Sequence, residues 1–313
     1  CGMGGFRYNN MPAEDLHRQN AVIQENSKIP ALIAANIEAG GDGGVGGGTH
    51  FGYHVAIGAT QDKENAYKMG YYGCKEAAAI GCNWTFAPIV DINRNWRSSV
   101  VYNRCFSSDS DQVLEMSKEY LRGAKDAGLA SCMKHFPGDG LDERDQHVVT
   151  TDNLMSCEEW DKDFGKVYKG MIDAGVESVM IGHIRLPEYQ RKLKPGIKDN
   201  EIMPATIAPE LLQGLLREQL GFNGLIITDA THMVGLTSQI SAMRRAEIMP
   251  YTIAAGCDMI LYYRDKDEDT QALKTGLEKG ILTMERLDEA VTRVLAFKAM
   301  LKLHTKKANG TLI

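Results

Sequence analysis

Two segments of this chain set titratable side chains at the ends of apolar runs. Lys134-His135-Phe136-Pro137-Gly138 closes one run, and Asp145-Gln146-His147 follows it with a carboxylate and an imidazole separated by a single residue. A second run, Leu225-Ile226-Ile227, ends in Thr228-Asp229-Ala230. A carboxylate at a strand end can attack an electrophilic carbon. An imidazole beside a carboxylate can give and take a proton near neutral pH. A lysine at the end of a buried run needs a partner, because burying an unpaired ammonium is costly. Plainer readings exist for each. Asp229 suits a helix N-cap, Asp142-Glu143-Arg144-Asp145 suits a water-facing charge run, and Lys134 suits an internal salt bridge.

These groups must be carried by repeated strand–helix units. Long amphipathic segments end at Gly81, Gly128, Gly175, Gly221 and Gly256, each followed within a few residues by an apolar run. The runs are Thr85 to Val90, Ala130 to Met133, Ser178 to Ile181, Leu225 to Ile227 and Met259 to Leu261. Glycine suits the left-handed position after a helix, and continuous apolar runs suit strands buried on both faces. The glycines lie 47, 47, 46 and 35 residues apart, the spacing of βα units. Pro30 to Ala35 adds a strand and Gly4-Gly5-Phe6 a remnant of another, seven in all. Eight parallel strands close a TIM-type (β/α)8 barrel, whose chemistry gathers at the strand ends. The expected fold is therefore an α/β barrel over residues 1–304, with its first strand upstream of residue 1 and a polar tail at 305–313. Ser156-Cys157-Glu158-Glu159 predicts a capping box, and Pro209-Glu210 opens a helix. Leu287, Ala290, Val291, Val294 and Leu295 form the core-facing stripe of a last helix.

The 313 residues are 43% apolar and carry a net charge of −6, with no basic stripe. That composition fits a globular protein acting on a neutral small molecule and argues against a nucleic-acid binder. Seven cysteines with no CxxC pair argue against a disulfide framework or zinc site and favour a reducing, cytoplasmic setting. No apolar run reaches membrane-span length. The glycine-rich stretch from Gly40 to Gly48 lacks the ending of a phosphate-binding P-loop and reads as a flexible loop over a pocket mouth.

Taken together, Phe86-Ala87-Pro88-Ile89-Val90-Asp91-Ile92-Asn93, Asn103-Arg104-Cys105-Phe106, Lys134 to Gly138 and Thr228-Asp229 resemble glycoside hydrolase family 3 in order and spacing. The resemblance covers nearly the whole chain. Asp145-Gln146-His147 resembles the Asp-x-His dyad of the bacterial β-N-acetylglucosaminidase (NagZ-type) branch. It implies Asp229 as the nucleophile of a covalent glycosyl-enzyme, and His147 as general acid and then base, oriented by Asp145. Lys134, His135 and Arg104 would bind sugar hydroxyls. Asn36 or Glu38 stands where the family carries an acid that grips distal hydroxyls. His183 matches another strand-end histidine, for which a satisfied core role is the alternative. No metal or organic cofactor is implied, and the partner is a small carbohydrate.

Two departures bear on the substrate. The family's Asp-x-Glu-Gly-Gly pattern appears as Asn36-Ile37-Glu38-Ala39-Gly40-Gly41 with no arginine in the loop, and its His-Gly-Asp as Asp139-Gly140-Leu141. The expected activity is that of a retaining exo-glycosidase on terminal β-linked N-acetylglucosamine. Its alternatives are a glycoside phosphorylase and a β-glucosidase or β-xylosidase with its acid/base in a second domain. More distant ones are a Schiff-base aldolase on Lys134 and a non-catalytic sugar-binding protein.

Overall fold

The structure is a computed structural model that describes residues 4–240 and 243–304; the expected tail at 305–313 lies outside them. Seven parallel strands form one sheet in chain order: β1 (Gly5–Arg7), β2 (Leu32–Ala35), β3 (Trp84–Thr85), β4 (Ala130–Phe136), β5 (Ser178–Ile181), β6 (Leu225–Ala230) and β7 (Met259–Leu261). Each expected run contributes a strand. The strand after Gly81 is shorter than predicted: its regular ladder ends at Thr85 and a bridge joins Ile89 to Lys134, with the Cys132 N–H donating to Ala87 O (3.1 Å) between them. Pro88 interrupts it, having no N–H to give a ladder.

The sheet curls until its edges face one another. Arg7, at the end of β1, lies 5.9 Å from the ring of Tyr262, just past β7. A Cβ on Gly4 would stand 3.1 Å from the terminal methyl of Met259. Among the described residues no ladder joins β7 back to β1.

Alternation along the buried strands divides the apolar side chains into two layers. Leu32, Ala34, Trp84, Ala130, Cys132, Met180, Leu225 and Ile227 fill the inside of the curl. Ile33, Met133, Val179, Ile181 and Ile226 point outward to the helices. Two polar side chains inside are satisfied: Trp84 Nε1 donates to Ser178 Oγ at 2.8 Å, and that hydroxyl donates to Ser131 O at 2.7 Å. The last helix, Met284–Met300, packs Phe297 onto Trp84 with ring centres 5.2 Å apart. Ala290 is buried as predicted, but Val291 is 48% exposed, so the buried stripe is narrower than its sequence pattern.

Helix ends follow the local chemistry. Gly128 and Gly175 take φ of +91° and +78° after their helices, as the left-handed position requires. Ser156 and Glu159 form the predicted capping box of the helix starting at Cys157. Asp109 accepts from the N–H groups of Asp111 and Gln112 ahead of Ser110–Asp126. The glycine-rich segment departs from expectation. It does not cover the cleft; it folds back on the helix Lys63–Ala79. There the Glu76 carboxylate accepts from Thr49 N (2.8 Å) and Thr49 Oγ1 (2.6 Å) and packs against Gly41. A carboxylate already occupies this cradle, so it is unsuited to phosphate.

Candidate active site

A cleft of about 920 Å³ opens at the carboxyl ends of the strands. β4 ends in Lys134 and His135, joined by a cis peptide, and both line the cleft. Lys134 is 2% exposed and its Nζ forms an ion pair with Glu38 Oε1. Arg104 meets the same carboxylate through two N–H···O contacts of 3.0 Å. Burial alone would raise the Glu38 pKa, but Lys134 and Arg104 hold it well below the usual range. The salt-bridge reading of Lys134 is thus correct and compatible with binding: Lys134 and Arg104 both line the cleft, while Glu38 is buried behind them. Of the two residues considered for gripping distal hydroxyls, Asn36 lines the cleft.

His135 is held from behind. Its Nδ1 lies 2.7 Å from Asp91 Oδ2, and its backbone N–H donates to Asp91 Oδ1 at 3.1 Å. Asp91 is fully buried. With Nδ1 donating, Nε2 is left for the cleft. The N–H of Asp139 donates to the same Asp91 oxygen (2.9 Å). Burial and the charge of Asp91 push the Asp139 pKa up to about 7.

Asp229 stands near the end of β6, partly exposed to the cleft. Burial works to raise its pKa, but His135, His183, the Ala230 N–H and Lys134 hold it below the usual carboxylate range. It is therefore ionised at neutral pH, the state a nucleophile requires. The N-cap alternative does not hold, since Asp229 Oδ1 accepts from the adjacent Ala230 N–H (2.7 Å) and the next helix, Val234–Thr237, starts after Met233. His183 lies behind it, fully buried, with Nδ1 2.8 Å from Thr206 Oγ1 and Nε2 3.1 Å from Ala230 O. A carbonyl only accepts, so Nε2 carries the proton. His183 is a satisfied buried histidine that does not line the cleft.

The loop after β4 supplies the imidazole. His147 Nδ1 lies 2.6 Å from Asp145 Oδ1, and His147 lines the cleft with its side chain 57% exposed. The charge run before it is not simply solvated. Arg144 pairs with Asp142 and with Asp152 (3.1 Å), and Asp152 pairs with Arg185 (2.5 Å). These contacts pin the loop to the short strand pair Thr151–Asp152 and Ile184–Arg185.

The structure thus brings Asn36, Arg104, Lys134, His135, His147 and Asp229 to one cleft, with Glu38, Asp145 and His183 directly behind them. Residues that the sequence did not single out also line it: Arg7, Gln146, Arg245, Tyr262 and Arg264. Asp91 lay within a recognised motif, and Gln146 within the dyad, yet neither showed a role by spacing. Arg7 and Tyr262 come from opposite sheet edges, for which no local signal exists. Among the described residues, no group of three or more His, Cys, Asp or Glu is placed to hold a metal ion. Among them, too, no helix is long and apolar enough to cross a membrane.

Comparison with known proteins agrees with this geometry. Residues 6–297 match the family model described as the glycosyl hydrolase family 3 N terminal domain. A β-N-acetylglucosaminidase/β-glucosidase of Cellulomonas fimi is 45% identical over 96% of this chain and 53% of its own length. A β-hexosaminidase of Hydrogenovibrio crunogenus is 33% identical over 72% of this chain and 59% of its own. Among solved structures, a β-glucoside phosphorylase superposes with a TM-score of 0.93 at 42% identity, covering 96% of this chain and 54% of that one. A β-N-acetylglucosaminidase from a Paenibacillus species gives 0.86 at 28% identity, over 99% and 60%. The chain spans a little over half the length of these relatives. A curled parallel sheet with this cleft at its strand ends, matched by one family model over nearly its full length, places the chain in glycoside hydrolase family 3.

Proposed function

We propose that this chain forms the catalytic barrel of a retaining exo-glycosidase acting on terminal β-linked N-acetylglucosamine or a close relative. One observation carries the reading: Asp229, an ionised carboxylate, and His147, backed by Asp145, line the same cleft. In the first step an Asp229 oxygen bonds to the anomeric carbon as the glycosidic C–O bond breaks, and the His147 imidazolium gives its Nε2 proton to the departing oxygen. In the second, the neutral imidazole takes a proton from water as its oxygen displaces Asp229. Lys134, His135, Arg104 and Asn36 would hold the sugar hydroxyls. The fold in this reading is a (β/α)8 barrel in which one further strand fills the gap between Gly5–Arg7 and Met259–Leu261. Lys134, taken up by Glu38, suits binding better than Schiff-base chemistry.

A second reading keeps the first step and changes the acceptor from water to phosphate. The cleft lining supports it: Arg7, Arg104, Lys134, Arg245 and Arg264 stand against Asp229 as the lining carboxylate. Glu38 offsets one charge and Asp269 that of Arg245, which leaves a surplus of positive charge. An imidazole acid/base does not repel an anion as a carboxylate would.

The test is nitrophenol release from the β-N-acetylglucosaminide and the β-glucoside, with and without phosphate, by the parent and His147→Ala. Loss of N-acetylglucosaminide cleavage in the variant supports the dyad. Sugar 1-phosphate formation replaces hydrolysis with phosphorolysis. Glucoside cleavage that survives the substitution moves the acid/base off this chain and overturns the reading.

A further inference from the structure

His147 is largely exposed, and its Nδ1 pairs with Asp145, two positions away on the same loop. That pair alone does not fix where the loop stands relative to Asp229. Between them lies Gln146, which is 1% exposed. Its side chain turns inward between the ends of β4 and β5. Gln146 Nε2 donates to Asp139 Oδ2 at 3.0 Å, and Gln146 Oε1 accepts the backbone N–H of His183 at 2.9 Å. Its main-chain carbonyl accepts from Gly235 N at 3.1 Å, and that of His147 from Val234 N at 3.0 Å. A Cβ on Gly235 would come within 2.2 Å of the Gln146 carbonyl oxygen, so this approach needs glycine there.

Both side-chain partners lead to the reacting groups. Asp139 shares Asp91 with His135. His183 reaches Ala230 O, one residue beyond Asp229. One amide therefore ties the loop that carries the imidazole to the strand end that carries the carboxylate. A primary amide holds its donor and acceptor in a fixed plane, so it can bridge the two at a set distance. Alanine could reach neither partner, and a buried bridge of this kind is costly to leave half made.

We propose that Gln146 is the positioning residue that sets the reach of His147 to the glycosidic oxygen. The inference rests on His147 being the acid/base, and the test separates the two. Aryl β-glycosides of the sugar the parent cleaves are compared with phenol and dinitrophenol as leaving groups, reading kcat/KM for the full chain. Dinitrophenolate departs without a proton, whereas phenolate needs one. Gln146→Met keeps the side-chain length and removes both hydrogen bonds. It should lower kcat/KM about tenfold or more beyond its effect on the dinitrophenyl glycoside when phenol is the leaving group. Combined with His147→Ala, it should add nothing further on the phenyl glycoside. Should Gln146→Met not fold, Gln146→Glu carries the test. It retains the acceptor for His183 N and gives up the amide donor to Asp139, and the same leaving-group preference is expected. Equal losses on both glycosides, or losses that add to those of His147→Ala, would overturn the proposal while sparing the dyad. If His147→Ala itself shows no leaving-group dependence, the dyad falls and this inference with it.

Discussion

Arg104 and Glu38 face each other through paired 3.0 Å contacts, with Lys134 on the same carboxylate. One buried acid compensates two cations that line the cleft. Glu38→Gln should leave both undercompensated and cost about 3–5 kcal/mol, read as a lowered midpoint in urea unfolding. The folded pKa is depressed, so this stabilisation is complete above the ordinary glutamate value of 4.5 and is lost as pH falls toward the folded one. The parent should therefore lose stability in acid below that value more steeply than the variant. Matching acid limbs would show that Glu38 is not the anchor.

Asp229 and its neighbours predict a separation of activity from folding. Asp229→Asn should reduce turnover by about four orders of magnitude or more while leaving the thermal midpoint near that of the parent. A fluorinated glycoside that traps the intermediate should mark the peptide containing Asp229 in mass spectrometry. A label on another peptide would reassign the nucleophile.

Asp145 is expected to matter for orientation. Asp145→Asn can turn its amide nitrogen toward His147 Nδ1 and favour the wrong tautomer. A loss of about a hundredfold or more in kcat on N-acetylglucosaminides is expected. Retained activity would leave His147 positioned by its backbone alone.

Asp139 runs opposite to Glu38. Its folded pKa, about 7, lies above the ordinary aspartate value of 3.8, so the folded state holds a proton that the unfolded state has released. Stability should fall as pH rises from about 4 to 7 on this account, by on the order of 4 kcal/mol. Asp139→Asn should flatten that slope, so that parent and variant curves converge or cross as pH rises to 8. Parallel curves in urea titrations at pH 5 and 8 would refute it.

Much of the architecture was legible in the chain. Helix-ending glycines and apolar runs at βα spacing located the seven strands of the main sheet, because strands buried on both faces must be continuously apolar. The motif residues at strand ends and on the loops after them marked six that line the cleft. Where local chemistry competed, the reading was less good. Pro88 cut short the pairing of the third strand, and the glycine-rich segment found Glu76 in place of the cleft mouth.

The sequence by itself determined the strand ends, and with them which acids and imidazoles could meet, since strand period and chain order are local properties. Only the tertiary structure decided their working states. It set Glu38 behind two cations, Asp91 behind His135, and Gln146 between Asp139 and His183. Those partners lie 44 to 96 residues apart for Asp91 and Glu38, and 7 and 37 for Gln146. Burial and charge at a site are sums over such non-local neighbours, and no spacing along the chain encodes them.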